Sequence, residues 1–400
     1  MMDHDAIVIG GGPAGLFTAT EIAKKGFDVR VLEEHERVGE PDHCAGLLSA
    51  SGLKRLGLNV PDKVIQNTVS GAKIYAPSGH SITIERGRRE AHVIDRRQFD
   101  AWLATEAMNM GVDITTNAKA SEFVRAGPYN HKIKIRGKID SELMSHAYII
   151  AEGSRCRLSG SIGLPTVEKS SKYPAFQYEV SGVDIDNEMV EMFYGRNVAP
   201  GFFAWIIPLG EKRARVGLAS RNRSKLRLDA LMRHHNIISK RLEGAKIDRS
   251  LGGIVLVGMP ITRMTYRNII TVGDAAGMVK ATTGGGVIIG GLTAKLAGKI
   301  IAEYLICEAE TTEIKKYEKQ CKSMVFDELR TMYFAQRALS SLSDKGLDSI
   351  IKDTANLGLL DVVKSEGDMD LQSRVIRKLL TDPRMVLTGL RAIRYINPFL

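Results

Sequence analysis

The stretch "DAIVIGGGPAGL", Asp5 to Leu16, decides the fold. Its β-branched apolar run ends at Gly10, the pattern of a buried parallel strand. Gly10, Gly12 and Gly15 fit GxGxxG. A helical pattern follows from Leu16 to Lys25 and stops at Gly26, a C-cap position. A second strand, Asp28–Leu32, ends in Glu33. Each glycine meets a backbone demand: Gly10 the tight turn, Gly12 close approach to a pyrophosphate, Gly15 the packing of helix on strand. The helix start near Ala14 offers N–H groups and a positive dipole end to phosphates. Glu33 stands where an acid accepts hydrogen bonds from a ribose. Strand, turn, helix and acid together predict a dinucleotide site.

The chain has 400 residues, enough for several packed units. With 44% hydrophobic and 26% charged residues it reads as an ordinary globular protein. The cysteines Cys44, Cys156, Cys307 and Cys321 have neither disulfide-scaffold nor metal-ligand spacing, so no metal is expected. No secretory leader is visible. The longest apolar runs, near Gly252–Ile261 and Gly284–Leu292, fall short of a membrane span. A cytoplasmic location is expected. The formal charge of +10 suits either a basic solvated surface or an anionic partner. No nucleic-acid motif accompanies it, so no nucleic acid is expected as a partner.

Further motifs follow in order: "VIDRRQFD" (Val93–Asp100), "YIIAEGSRCRL" (Tyr148–Leu158) and "NIITVGDAAGMVKATTGGGVIIGG" (Asn268–Gly291). With GxGxxG before them, the first 300 or so residues resemble the p-hydroxybenzoate hydroxylase flavoprotein superfamily. The resemblance implies FAD. It places Arg96 near the flavin, Asp274 on the ribityl chain, the backbone of Gly286 and Val287 against the isoalloxazine ring, and the backbone of Ala120 near the adenine. One departure stands out: Glu152-Gly153 replaces the usual Asp-Gly. The residues themselves agree with this reading. Asp274 ends a buried strand, where it could accept from sugar hydroxyls or cap a helix. Gly284-Gly285-Gly286 lets a flat ring meet backbone and a helix N-terminus. Arg96 could instead be a surface ion-pair residue. No second GxGxxG lies between a strand and a helix, so the reductant is NAD(P)H visiting briefly or a donor protein such as reduced ferredoxin.

Val69–Glu85 and Pro174–Gly258 have strand character, which suggests an inserted antiparallel sheet that builds a substrate pocket. In "APGFFAWIIPLG" (Ala199–Gly210), Phe203, Trp205 and Ile207 make an apolar patch that reads as either core or tunnel lining. The patch is similar to the aromatic-x-Trp-x-aromatic-Pro-x-Gly motif that lines the prenyl tunnel of geranylgeranyl reductases, a branch of the superfamily. "PDHCAG" (Pro41–Gly46) is similar to their P-x-x-C-(A/G) segment, and "SEGDMD" (Ser365–Asp370) looks most like the archaeal digeranylgeranylglycerophospholipid type. The resemblance implies saturation of isolated double bonds in a prenyl lipid, by hydride from reduced flavin N5 plus a proton. It also sets Cys44, Ala45 and Gly46 at the cofactor. Cys44 and His43 are the candidates for acid or relay; a steric or hydrogen-bonding role for Cys44 stays open. Two rivals are an aromatic monooxygenase of the same fold and a non-catalytic prenyl-binding protein.

The expected architecture is α/β. A discontinuous Rossmann-like FAD-binding domain (1–65, 89–165, 259–313) carries an antiparallel-sheet substrate domain (66–88, 166–258). A C-terminal helical region (314–400) follows. Its end, "DPRMVLTGLRAIRYINPFL", mixes apolar residues with Arg384, Arg391 and Arg394. It suits peripheral docking on the anionic inner face of the membrane, or packing on the body with its arginines solvated.

Overall fold

A computed structural model describes residues 2–127, 131–137, 140–307 and 312–385. The chain packs as two units, one of residues 2–42, 96–171 and 258–329, the other of residues 43–95, 172–257 and 330–385.

The first unit follows the glycine pattern. Strand His4–Ile9 leads into helix Pro13–Ala23, which returns to the parallel strand Val29–Leu32. Ser141–Ile150 lies parallel on the other side of His4–Ile9 and pairs in turn with Ile269–Thr271. Asp113–Thr115 extends the sheet beyond Val29–Leu32. The heart of the sheet carries no polar alternation: Ala6, Ile7 and Val8 are 0% exposed. Helix Val287–Ile306 packs on Pro13–Ala23 closely enough that a Cβ on Gly298 would lie 2.6 Å from Thr18 O. Thr18 Oγ1 also donates to Ala294 O.

The second unit is built on a seven-stranded sheet. Its order is Lys246–Leu256, Lys172–Ser181, Arg213–Ala219, Phe203–Gly210, Met189–Tyr194, Gly71–Tyr75 and Ser81–Glu85. The expectation was an antiparallel sheet, and most pairs are. Met189–Tyr194 and Gly71–Tyr75 are parallel instead; they come from separate insertions, so no hairpin fixes their directions. Ala204, Ile206, Val216, Leu218, Tyr178 and Val180 face one way, into a core with Leu228 and Leu231 of helix Ser224–His234. Phe203, Trp205, Ile207, Leu209 and Ala219 face the other, with Val69, Ala91 and Val93 of a three-stranded sheet (Leu47–Ser49, Ala91–Ile94, Ile65–Val69).

That small sheet corrects the expected domain limits. Ala91–Ile94 bonds to both Leu47–Ser49 and Ile65–Val69, so residues 43–65 and 89–95 go with the second unit. Residues 330–385 are not a separate region either. Their helices Asp344–Asn356, Leu360–Glu366 and Ser373–Thr381 belong to the second unit. "SEGDMD" supplies the ties: Asp370, 1% exposed, accepts from Ser49 Oγ, and Asp368 pairs with Arg55 at 2.6 Å. Gln336 Nε2 donates to Gly201 O at 2.7 Å. At the C-terminal end, Arg384 pairs with Asp382 at 2.7 Å and donates to Leu357 O at 2.7 Å. Arg391, Arg394 and the rest of the expected docking segment from Val386 onward lie outside the described residues. Among the described residues, no helix is long and apolar enough to cross a membrane.

Candidate functional site

In the first unit the glycine turn has a tight side and an open side. Gly10 sits at φ +109°, and a Cβ there would lie 2.3 Å from Ala151 O; one on Gly15 would lie 2.0 Å from Gly10 O. Gly12 is different, since among the described residues nothing lies within 4 Å of its would-be Cβ. The turn is jammed against its own sheet and helix, while one surface stays free for a ligand. Among the described residues no side chain caps helix Pro13–Ala23 at Gly12, which leaves its first amides for phosphate oxygens. Gly11 N–H donates to Glu33 Oε2 at 2.8 Å, and the other oxygen of this buried carboxylate takes the His35 amide at 3.0 Å and Nδ1 at 2.6 Å. Glu33 thus fixes the turn from behind, a contact that the reading of Glu33 as a ribose partner missed.

Gly286 and Arg96 lie near Asp274. Gly273, at φ +62°, brings the end of the Ile269–Thr271 strand against Ala14: a Cβ on Gly273 would lie 2.6 Å from the Ala14 Cβ. A Cβ on Gly286 would lie 2.8 Å from Asp274 Oδ1, so the glycine turn and the carboxylate are neighbours, and Val287 begins the long helix. Burial raises the Asp274 carboxyl above its ordinary range, against the opposing charge of Arg96. Arg96 opens helix Arg96–Asn109 and also grips Asp100 through two hydrogen bonds, of 3.0 and 2.8 Å. Asp100 is buried and likewise raised by burial. Arg96 thus pairs with a buried carboxylate, not in the surface ion pair weighed as the alternative, and its charge reaches Asp274 as well. Ala120 lies in strand Ala118–Arg125, in register with Ile135 of the neighbouring strand; the residue bonded to Glu33 is Ala118, whose N–H donates to Glu33 O at 2.8 Å. Glu152, the departure from Asp-Gly, accepts from the amides of Arg157, Leu158 and Ser159 at 2.8, 3.1 and 3.0 Å. Its extra methylene reaches a helix start as a cap.

These residues fit FAD. The open flank of Gly12 and the uncapped helix suit a diphosphate, and Glu33 suits a ribose. Buried Asp274 beside a glycine turn suits hydroxyls and a flat ring approached by backbone.

In the second unit the Cys44–Gly46 loop lies across one face of the large sheet. Gln177, Gly217 and Trp205 stand in register on adjacent strands, followed by Glu179, Arg215 and Ile207. The face therefore grades from aromatic to charged. Two glycines make it passable. A Cβ on Gly217 would meet the Trp205 ring at 2.7 Å, and one on Gly253 would meet His43 O at 3.0 Å. Gln177 Nε2 donates to Cys44 O at 3.0 Å, and Arg215 Nη1 donates to Ala45 O at 2.9 Å. The Ile94 amide donates to Gly46 O at 2.8 Å. Within the loop, Gly46 N–H points at Cys44 Sγ, 3.4 Å away. Cys44 is half-buried and His43 exposed. Phe203, Trp205 and Ile207 are buried in the cluster that Ala45 and Leu47 also join, so the core-packing alternative describes their contacts accurately, and the Cys44 loop is part of that packing. Sequence reading missed Gln177, Glu179 and Arg215. A lone Arg in "RARVGLAS" looks like surface charge, and only the register brings it to the loop.

Comparison with known proteins agrees with both halves of this picture. A family described as an FAD binding domain matches residues 3–332. Digeranylgeranylglycerophospholipid reductase 2 of Methanopyrus kandleri is 30% identical over 388 residues, covering 94% of this chain and 97% of the relative. Digeranylgeranylglycerophospholipid reductase 1 of Methanococcoides burtonii is 31% identical over 378 residues, covering 90% and 91%. The crystal structure of a geranylgeranyl bacteriochlorophyll reductase-like protein from Thermoplasma acidophilum superposes with a TM-score of 0.86 at 25% identity, covering 98% of this chain and 99% of the other. The chain therefore belongs to the FAD-binding flavoproteins and, among them, to the digeranylgeranylglycerophospholipid reductase family.

Proposed function

We propose that this FAD-dependent oxidoreductase saturates isolated double bonds in the geranylgeranyl chains of an archaeal ether phospholipid. The observation that carries the reading is the graded sheet face: Phe203, Trp205 and Ile207 form a buried apolar wall, and the Cys44 loop lies on the same face. An unactivated alkene offers no polar handle, so the protein must hold it by shape and keep water away. The Gly10–Gly15 turn, Glu33, Arg96, Asp274 and the Gly286–Val287 backbone would hold FAD, which in its reduced form would supply a hydride. The chain's own task is the proton for the other carbon. Cys44 Sγ is assigned that proton, and the Gly46 amide at 3.4 Å would steady the sulfur once it carries negative charge. Exposed His43 beside it would return a proton from solvent.

The decisive experiment is mass spectrometry of lipids from a host making geranylgeranyl ethers, with this protein supplied. A gain of two hydrogens for each bond saturated is expected; a hydroxylated product or an unaltered lipid would overturn the reading. Cys44→Ala should keep FAD and lose about 10²-fold in turnover with chemically reduced enzyme. Unchanged turnover would remove Cys44 from the mechanism.

The electron donor is assigned as NAD(P)H or a protein such as reduced ferredoxin, since the chain has no second GxGxxG between a strand and a helix. A cytoplasmic protein resting on the anionic inner membrane face suits the formal charge of +10 and a lipid substrate. Co-sedimentation with anionic and neutral vesicles tests this, and equal binding to both would exclude the electrostatic part.

A further inference from the structure

Arg215 is the largest fully buried side chain described, 1% exposed in the middle of strand Arg213–Ala219. A guanidinium is costly to bury unless its donors are placed, and a single carboxylate partner leaves several over. Here Nε donates to Glu179 Oε1 at 2.9 Å and Nη2 to Gln66 Oε1 at 2.6 Å. Nη1 donates to two backbone carbonyls, Ala45 O at 2.9 Å and Ile94 O at 3.0 Å. Glu179 is held in turn by Arg249 at 2.9 Å. An ion pair serving only the sheet would have no use for a loop carbonyl.

The Ala45 carbonyl and the Gly46 N–H belong to one peptide plane and point in opposite directions. Arg215, by gripping Ala45 O, therefore aims the Gly46 N–H, and that N–H points at Cys44 Sγ. Gln177 grips the preceding plane through Cys44 O. Gly46 completes the arrangement. It sits at φ +75°, and a Cβ there would lie 2.5 Å from Arg215 Nη1 and 2.4 Å from Ile94 O. The guanidinium occupies the room that a side chain would need.

We infer that Arg215 is a positioning residue for the reaction: with Glu179 behind it and Gln177 beside it, it sets the two peptide planes that direct an amide donor at the Cys44 sulfur. The inference rests on the reading of Cys44 as the proton source, and its test separates the two. Holoenzyme carrying Arg215→Met, Arg215→Lys or Gln177→Leu is compared with the parent for FAD content, kcat, KM and the rate of Cys44 alkylation by iodoacetamide, resolved by peptide mass spectrometry. Freed of its clamp, the loop should open more often, and Cys44 should alkylate about threefold faster or more in Arg215→Met and Gln177→Leu. Their kcat should fall about tenfold with KM nearly unchanged, the signature of lost orientation rather than lost binding. Arg215→Lys keeps the charge but not the fork, and should fall between. Alkylation at the parent rate in folded variants overturns the inference. If Arg215→Met does not fold, Gln177→Leu decides alone, because it leaves the Arg215–Glu179 pair intact. Full turnover by Cys44→Ala would defeat the proton-source reading, whereas the alkylation rates judge the clamp independently.

Discussion

Two loops organise this molecule, and they are shaped by opposite means. The Gly10–Gly15 turn is held by what is missing: side chains would collide with Ala151 O and Gly10 O, and backbone close at hand sets its path. The Cys44–Gly46 loop is held by what is present. Gln177 and Arg215, 133 and 170 residues away in the chain, grip its carbonyls from a sheet. A turn built from absences leaves its amides free for a ligand. A loop built from buried side chains holds one group, the Cys44 thiol, in a fixed setting.

The largest effect should come from breaking the second loop's support. Glu179→Gln leaves Arg215 buried without its counter-charge, which should destabilise the protein by about 3–5 kcal/mol. Burial works against the Glu179 charge, but Arg249 and Arg215 outweigh it and hold the carboxyl below its ordinary range. The folded state therefore binds this proton less readily than the unfolded chain. The stability it contributes is complete above the ordinary carboxylate range and is lost as pH falls through the lowered value. Denaturant melts from neutral pH downward should show the parent's advantage over Glu179→Gln shrinking. A pH-independent difference would mean that shape, not charge, is what Glu179 supplies.

The first loop offers a contrast within itself. Gly15→Ala drives a Cβ into Gly10 O and should destabilise the fold by about 1–3 kcal/mol. Gly12→Ala meets no atom of the described residues within 4 Å, and Gly12 already has φ −73°, open to any residue. It should leave the melting of FAD-free protein unchanged while weakening FAD about tenfold or more, because the new methyl stands on the flank assigned to the pyrophosphate. Normal FAD affinity in Gly12→Ala would move the phosphates elsewhere.

The same contrast explains what could be read from sequence. The glycine turn, its strand and its helix were legible because they form one continuous local pattern, even though Gly10 is pressed by Ala151 O from a distant strand. Asp274 was legible as an acid just after a buried strand and Gly286 as a helix start, and the structure makes them neighbours. Arg215, Glu179 and Gln177 were not. Each is an ordinary polar residue in a strand, and its meaning depends on pairing register across three strands. The domain limits slipped for the same reason, since nothing local in Ala91–Ile94 shows that it pairs with Leu47–Ser49. Glu152 reads as a defective Asp-Gly until its carboxylate is seen capping the Arg157–Ser161 helix.

The smallest predicted effect tests whether the first unit also keeps a charge for its ligand's sake. Burial raises the Asp274 carboxyl despite Arg96, so the folded protein holds that proton more tightly than the unfolded chain. Without FAD, stability should then decline as pH rises from the ordinary carboxylate range to the raised value, the reverse of Glu179. Asp274→Asn removes that slope, and above the window its FAD-free form should melt higher than the parent. The same substitution should weaken FAD by about 1.5 kcal/mol, roughly tenfold in Kd, if the carboxylate accepts from ligand hydroxyls. Flavin fluorescence titration and pH-dependent melting of one variant thus read both sides. A variant that melts higher and binds FAD less well marks Asp274 as a residue kept for its ligand at the expense of the empty fold. A variant that melts lower and binds FAD unchanged would make it a structural cap, and the charge at the end of the Ile269–Thr271 strand would then serve the first unit as Glu179 serves the second.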